Sequence, residues 1–362
     1  MFVTLLSSLS TRVRDAALGG LCASVPDAVV LRYDLLHAGT LAAELFRPGH
    51  APATRTLALD HACLACTAAA DAALVLASLA DAGQEHALLG LPPGASSVKA
   101  QRVLERRAAG DPVAVDSVAL AIDPSEVEQL ITSPYLLHSA GLLPEGAPCT
   151  GSGEFVTAAL SHADTVLGAD DGVWALLGDR GAADYRTASE RGLDLLRELA
   201  PHALVNAPGP VSALGSFDRE EAAQRTTPGA ARPAARNGTT SAGTTFTTVT
   251  LRSDRPLHPG RIYHLLQELS RSALWTRGQL WLGGCPTLKI AVQGAGPRLR
   301  IVASGTWQDH GEAAETVLAL TGEGLDAELL QSAFAACELE DGELAEGIAN
   351  VELGPFRALA PQ

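Results

Sequence analysis

Lysine is nearly absent from this chain: among 362 residues it occurs only as Lys99 and Lys289, and arginine carries the remaining positive charge. That scarcity limits what the chain can bind. A Walker A loop needs glycines whose backbone N–H groups crowd around phosphate oxygens, a Lys to reach the terminal phosphates, and a Ser or Thr for magnesium. Lys99 follows Gly94-Ala95-Ser96-Ser97-Val98, with no second glycine before it, and leads into an amphipathic helix pattern. Lys289 lies in an alternating strand pattern. Neither position forms such a loop. Positive charge as a whole is also short, with 26 Lys and Arg against 41 Asp and Glu and a net charge of −15, which argues against a polyanion binder and against a specific DNA partner. No apolar run reaches the roughly 18 residues expected of a membrane span, and residues 1–9 lack the basic flank of a signal peptide. A cytoplasmic protein with no membrane partner is expected. No Ser-His-Asp arrangement is legible, so no catalytic residue is assigned.

What the chain does have is apolar content, 47% of its residues, over a length that suffices for two cores. Strand and helix patterns alternate through the first 200 or so residues, with strands read at 2–6, 28–33, 54–59, 87–89, 116–122, 164–167 and 203–205. Helices are read at 11–23, 69–82, 97–108 and 186–199. Such alternation predicts an α/β domain built on a mostly parallel sheet covered on both faces. After residue 246 the pattern becomes strand alternation at 246–251, 288–292 and 299–303, with helices at 259–270 and 326–337. That pattern predicts a smaller α+β domain with an antiparallel sheet. Between them, 215–245 is rich in Thr, Ala, Gly, Arg and Pro and reads as a flexible linker, leaving domains at 1–214 and 246–362. Its Arg219, Arg225, Arg232 and Arg236 are read as solvated charge, with contact to an anionic partner as the alternative.

One motif carries chemistry. His61-Ala62-Cys63-Leu64-Ala65-Cys66-Thr67 falls after a strand and before a helix. Two thiolates three residues apart can grip one tetrahedral zinc at about 2.3 Å, and an imidazole can join them at about 2.0 Å. A Cys-x-x-Cys pair also suits a redox couple or two ordinary buried thiols. Cys22, Cys149, Cys285 and Cys337 are scattered without ligand spacing and read as core or incidental thiols. His258, beside Pro259, reads as the start of a helix, and Trp275, Trp281 and Trp307 read as core or interface aromatics.

The tract Arg255-Pro256-Leu257-His258-Pro259-Gly260-Arg261, continuing into Trp275-Thr276-Arg277-Gly278-Gln279-Leu280-Trp281-Leu282 and on to Ala336-Cys337-Glu338-Leu339, resembles the C-terminal domain of the CobW-type GTPases, a family of metal-insertion proteins. The N-terminal order is similar to that of such a GTPase, which implies a P-loop-GTPase-like sheet domain followed by a CobW C-terminal-like domain. Where that family has its Walker A loop, this chain has Ser8-Leu9-Ser10-Thr11-Arg12-Val13-Arg14-Asp15. Where it has its guanine-reading Asn-Lys-x-Asp, the chain has Gly168-Ala169-Asp170-Asp171, with Asp171 alone in position. GTP and ATP are therefore expected to bind weakly or not at all.

Cys63 and Cys66 match the outer cysteines of the family's metal-binding Cys-x-Cys-Cys segment, and Ala65 replaces the middle one. The resemblance implies zinc held by Cys63, Cys66 and His61, with water, Asp60 or a client completing the set. It also implies a non-hydrolysing adaptor in zinc homeostasis with a protein client or ribosome-associated partner, because actinobacterial relatives with weak GTPase motifs are linked to zinc-starvation ribosome remodelling or hibernation. An active GTP-dependent zinc metallochaperone and a metal-free structural scaffold are the alternatives.

Overall fold

The computed structural model describes residues 1–36, 39–59, 61–170, 178–207, 215–230, 245–311 and 313–359. Strand β1 (Phe2–Ser7) is buried from Val3 onward and is flanked in parallel by β5 (His86–Gly90) and β6 (Ala114–Ile122). A central strand covered on both faces has to be apolar throughout, which is why 2–6 reads as a continuous hydrophobic run. With β2 (Val29–Leu36), β3 (Thr40–Phe46), β4 (Ala53–Ala58), β7 (Thr165–Gly168) and β8 (Leu204–Asn206) the sheet order is β4-β3-β2-β5-β1-β6-β7-β8. Pairing is parallel from β2 to β8 and antiparallel at β2–β3 and β3–β4. The mostly parallel sheet expected from sequence is present. Strand β3 was not expected: only Leu41 and Ala43 of its seven residues are buried, and an Ala-rich alternation gives little strand signal.

Adjacent residues of each strand serve opposite faces. Leu6, Val30, Leu88 and Ala119 pack with Val13, Ala17, Leu18 and Leu21 of α1 (Thr11–Ser24). Leu5, Leu31, Leu89 and Val118 pack with α2 (Leu64–Asp81) and α3 (Ser97–Arg107) on the other face. Helix α2 begins at Leu64, five residues before the helix read from sequence, so the cysteine motif lies at its N-terminus. By length and composition α2 could cross a membrane, with a mean hydropathy of 1.5 over 18 residues, although Asp71 interrupts its apolar run. Its stripe of Ala65, Ala68, Ala69, Ala72, Ala73 and Leu76 is buried against the sheet, and its Asp71 accepts from Tyr33 Oη at 2.5 Å and from Arg55. Those polar contacts suit a core helix, since they satisfy the carboxylate inside the protein.

Helix α5 (Ser152–His162) packs on β6 and α6 (Gly178–Leu199) on β8, and the short helix α4 (Val127–Thr132) lies between β6 and α5 in sequence. A Cβ on Gly192 of α6 would overlap the carbonyl oxygen of Pro124 in the turn after β6, so glycine is what allows the helix to approach there.

The region 215–245 is not a tether along its described length. Helix α7 (Arg219–Thr226) occupies part of it, with Asp218 Oδ1 accepting from Glu221 N at 2.9 Å and Ala222 buried. Phe217 N donates to Asp116 O at 3.0 Å, and Ser216 Oγ donates to Asp164 at 2.8 Å. Composition alone misses this because a single capped turn and one buried alanine are enough to order a short polar helix. Residues 231–244 lie outside the described residues. The chain divides into two compact units, one of 1–130 and 134–223, the other of 131–133 and 224–362.

The second unit is α+β, as expected. Strands β9 (Phe246–Ser253), β10 (Trp275–Leu280), β11 (Leu288–Ala295), β12 (Arg298–Thr306) and β13 (Thr316–Glu323) form an antiparallel sheet in the order β12-β11-β10-β13-β9. Helix α8 (Pro259–Ser272) buries Ile262, Leu265, Leu266 and Leu269 in a core with Leu251, Leu280, Ile290, Val292, Leu318 and Leu320. Helix α9 (Ala327–Ala335) adds Phe334 to that core, and α10 (Asp341–Ala345) follows it.

Candidate metal centre

The connection from β4 into α2 builds the site. Cys63 N donates to His61 O at 2.8 Å, which folds the segment into a turn just ahead of the helix. Cys63 is the N-cap of α2: its Sγ accepts from Cys66 N at 3.3 Å, and its carbonyl accepts from Cys66 N and Thr67 N at 3.1 Å. Capping is the local reason both sulfurs converge, since it points the Cys63 side chain at the first helical turn, where Cys66 sits. The Cα atoms of the pair are 5.3 Å apart and their sulfurs are joined as a disulfide. His61 is exposed, and one of its ring nitrogens lies with the two sulfurs in a group whose members are within 4.8 Å of one another.

Those three side chains fit a divalent metal of borderline softness. In a tetrahedral site with metal–sulfur bonds of about 2.3 Å, ligand atoms stand about 3.8 Å apart, a separation this cluster can meet once the pair is reduced. The cluster supplies two sulfurs and an imidazole, and Asp60 lies outside the described residues. Among the described residues no other group of three His, Cys, Asp or Glu side chains has ligand geometry. The remaining cysteines stand apart from it. Cys285 and Cys337 are buried, Cys22 is partly so, and Cys149 is exposed. Burial pushes the Cys337 thiol up to about 11 and raises Cys285 and Cys22 as well, which keeps these thiols protonated and inert.

The connection from β1 to α1, where the first sheet would cradle a phosphate, is three residues long: Ser8, Leu9 and Ser10. Its polar groups are used within the fold. Ser10 N donates to Ser8 Oγ at 3.2 Å, Ser10 Oγ accepts from Val13 N at 3.4 Å, and Ser8 O accepts from Gly94 N at 2.9 Å. No glycine of the segment turns its N–H inward, because the segment holds none. Behind it stands Arg14, fully buried, whose guanidinium donates to Tyr33 O at 2.6 Å, Leu91 O at 3.1 Å, Asp15 at 2.9 Å and Asp34 at 3.1 Å. Arg32 extends the network to Asp15 at 2.7 Å and to Glu44 at 2.6 Å. Sequence reading passed over this network, since a lone Arg on an amphipathic helix normally reads as a solvated charge.

The other residues singled out from sequence have structural settings. Lys99 is exposed in the first turn of α3, where its N–H bonds to Ser96 Oγ. Lys289 is buried with its ammonium 5.6 Å from the Trp307 ring centroid. His258 caps α8, its Nδ1 accepting from Gly260 N at 3.1 Å and Arg261 N at 3.3 Å. Trp275 and Trp307 are buried, Arg277 lies over the Trp275 ring, and Trp281 Nε1 donates to Pro286 O at 3.2 Å. Arg219 pairs with Glu105 at 2.6 Å and Arg225 closes α7, while Arg232, Arg236 and Asp171 lie outside the described residues.

Residues 246–338 match the family model of the cobalamin synthesis protein cobW C-terminal domain. A comparison with curated proteins returns no match. Among solved structures the chain aligns with a zinc(II)-bound YjiA GTPase from E. coli at 14% identity and a TM-score of 0.38, covering 94% of this chain and 99% of that one. A zinc(II)-bound triple mutant of the same GTPase aligns at 14% identity and a TM-score of 0.35, covering 93% and 99%. At these scores neither alignment bears on the site. The second unit thus contains a cobalamin synthesis protein cobW C-terminal domain, residues 246–338.

Proposed function

We propose that this chain is a non-hydrolysing CobW-type protein of zinc homeostasis that holds one zinc ion through Cys63, Cys66 and His61 and acts as a metal-handling or partner-recruiting adaptor. The observation that carries the reading is the convergence of three donor atoms within 4.8 Å at the N-terminus of α2. Zinc bound there would supply a Lewis-acidic centre with one coordination position left to exchange. The chain's own residues do the rest. The capping turn holds the two sulfurs together, and His61 presents its ring from the exposed rim. Three protein ligands suit transfer better than permanent structural binding, where four closed ligands are usual.

The non-hydrolysing half rests on the β1–α1 connection, whose three residues offer no room for a phosphate cradle and spend their polar groups on each other and on Gly94. A ribosome-associated partner during zinc starvation is part of the same proposal and rests on the family resemblance.

One purified, reduced sample tests both halves. Zinc titration is expected to give one ion per chain, the Cys63→Ser, Cys66→Ser double variant is expected to give none, and neither GTP nor ATP with magnesium is expected to bind at low micromolar concentration. Stoichiometric zinc in the double variant would move the site elsewhere. Tight GTP binding with turnover would replace the adaptor by an active metallochaperone, and no zinc in the reduced parent would leave a scaffold.

A further inference from the structure

Cys63 and Cys66 stand at once in a disulfide with each other and in the three-donor cluster with His61. These are two states of one pair, because a disulfide sulfur has no thiolate charge to give a metal. We propose that the pair is an oxidative modification site whose substrate is a low-molecular-weight disulfide, and that its oxidation ejects the metal. The proposal rests on the reading that the reduced cluster holds zinc.

The fold supports fast interchange without rearrangement. Both cysteines belong to the cap and first turn of one helix, with Cα atoms 5.3 Å apart, a separation that suits a disulfide and a shared metal equally. Neither is deeply buried, so a small disulfide can reach them. The sulfur of Cys63 accepts from Cys66 N at 3.3 Å, which keeps it against the first turn beside its partner. By contrast Cys285 and Cys337 are buried and cannot compete for the same reagent.

The exchange balances in two steps. One cysteine thiolate attacks a sulfur of the small disulfide, forming a mixed disulfide and expelling one small thiolate. The other cysteine thiolate then attacks the protein sulfur of that mixed disulfide, forming the Cys63–Cys66 bond and expelling the second small thiolate. Two electrons pass from the protein pair to the small disulfide, and the zinc ion leaves because only His61 remains to hold it. A small dithiol reverses both steps.

The test uses the full chain carrying Cys149→Ser, which removes an exposed thiol that is not one of the three donors. The reduced protein is loaded with zinc, treated with oxidised glutathione, and followed by zinc release to a chromophoric chelator, by free-thiol count and by peptide mapping. Free thiols are expected to fall by two, mapping to find Cys63 joined to Cys66, and bound zinc to fall from about one per chain to near none, with recovery after dithiothreitol. Zinc retained after the two thiols are lost, or a disulfide mapped to any other pair, overturns the gate. Zinc absent from the reduced protein would overturn the function proposed above and the gate with it, whereas zinc equal in reduced and oxidised protein would overturn the gate alone. Cys66→Ala and Cys63→Ala variants separate chemistry from folding: at least one should stop at a mixed disulfide on the cysteine that remains, and failure of both to form that adduct would sink the first step.

Discussion

Arg14 is the residue whose removal should cost the first sheet domain most. A fully buried guanidinium is tolerable only when its donors are matched, and here two carbonyls and two carboxylates receive them. Through Tyr33 O on β2 and Leu91 O just after β5, the same side chain ties α1 to the C-terminal ends of two strands. Replacing it with Met keeps the volume but strands those acceptors. Asp15 and Asp34 are partly exposed and can rehydrate, so the loss should be near the low end of the range for a broken buried pair, about 3 kcal/mol in urea unfolding. Arg14→Lys should rescue little, because one ammonium cannot reach four acceptors spread around a planar fork. A Met variant as stable as the parent would mean that the network is ornamental.

At the scale of elements, two contacts decide how helices dock. Gly192→Ala should push α6 off the turn that follows β6, since the added methyl meets a backbone carbonyl that cannot step aside. Overpacking of this kind costs about 3 kcal/mol, and hydrogen exchange should quicken in α6 and around Pro124 together if the contact is what docks the helix. In the second unit α10 is clipped to α8 by Arg261, which donates to both oxygens of Glu343 at 3.1 and 2.7 Å. That hydrogen-bonded guanidinium holds the Glu343 carboxyl below its usual value. A lowered folded-state value means the stabilisation is present above the ordinary Glu pKa of about 4.3 and is lost as pH falls through the lowered value. Glu343→Gln should therefore unfold more easily than the parent at pH 7, by about 1 kcal/mol, and the two curves should converge in acid. Parallel curves at every pH would remove the carboxylate's charge from the explanation.

At the scale of the whole molecule, the two units have separate cores, one around β1 and the other around α8. The expected linker shrinks once α7 is known, because residues 216–223 are bonded into the first unit through Ser216, Phe217 and Arg219. Limited trypsin digestion should therefore cut after Arg236 before it cuts after Arg219, giving one fragment that ends beyond α7 and another that begins before β9, each still folded. First cleavage after Arg219 would show that the helix opens readily. Pull-down with each fragment from zinc-starved extract then tests where the partner binds: the adaptor reading expects capture by the C-terminal fragment, and capture by the N-terminal fragment alone would contradict it.

How much of this was legible beforehand depends on how local the physics is. Strand β1, helix α8 and the cap at His258 are written in a few consecutive residues, so apolar runs, 3.6-residue spacing and the His258-Pro259 pair disclosed them directly. The absence of a phosphate loop was equally plain, because that loop is a contiguous motif and its glycines and lysine are simply not there. The cysteine motif lay between these cases. Its spacing announced a pair able to take a metal, yet only the fold shows that Cys63 caps α2 and that His61 completes a three-donor cluster. Strand β3 and helix α7 were hidden because alanine and short polar runs carry weak intrinsic preference, and neighbours already in place decide their conformation. Arg14 was the least legible of all: whether a charged side chain on a helix faces water or a buried set of acceptors is settled by residues 19 and 77 positions away, which only tertiary structure brings to it.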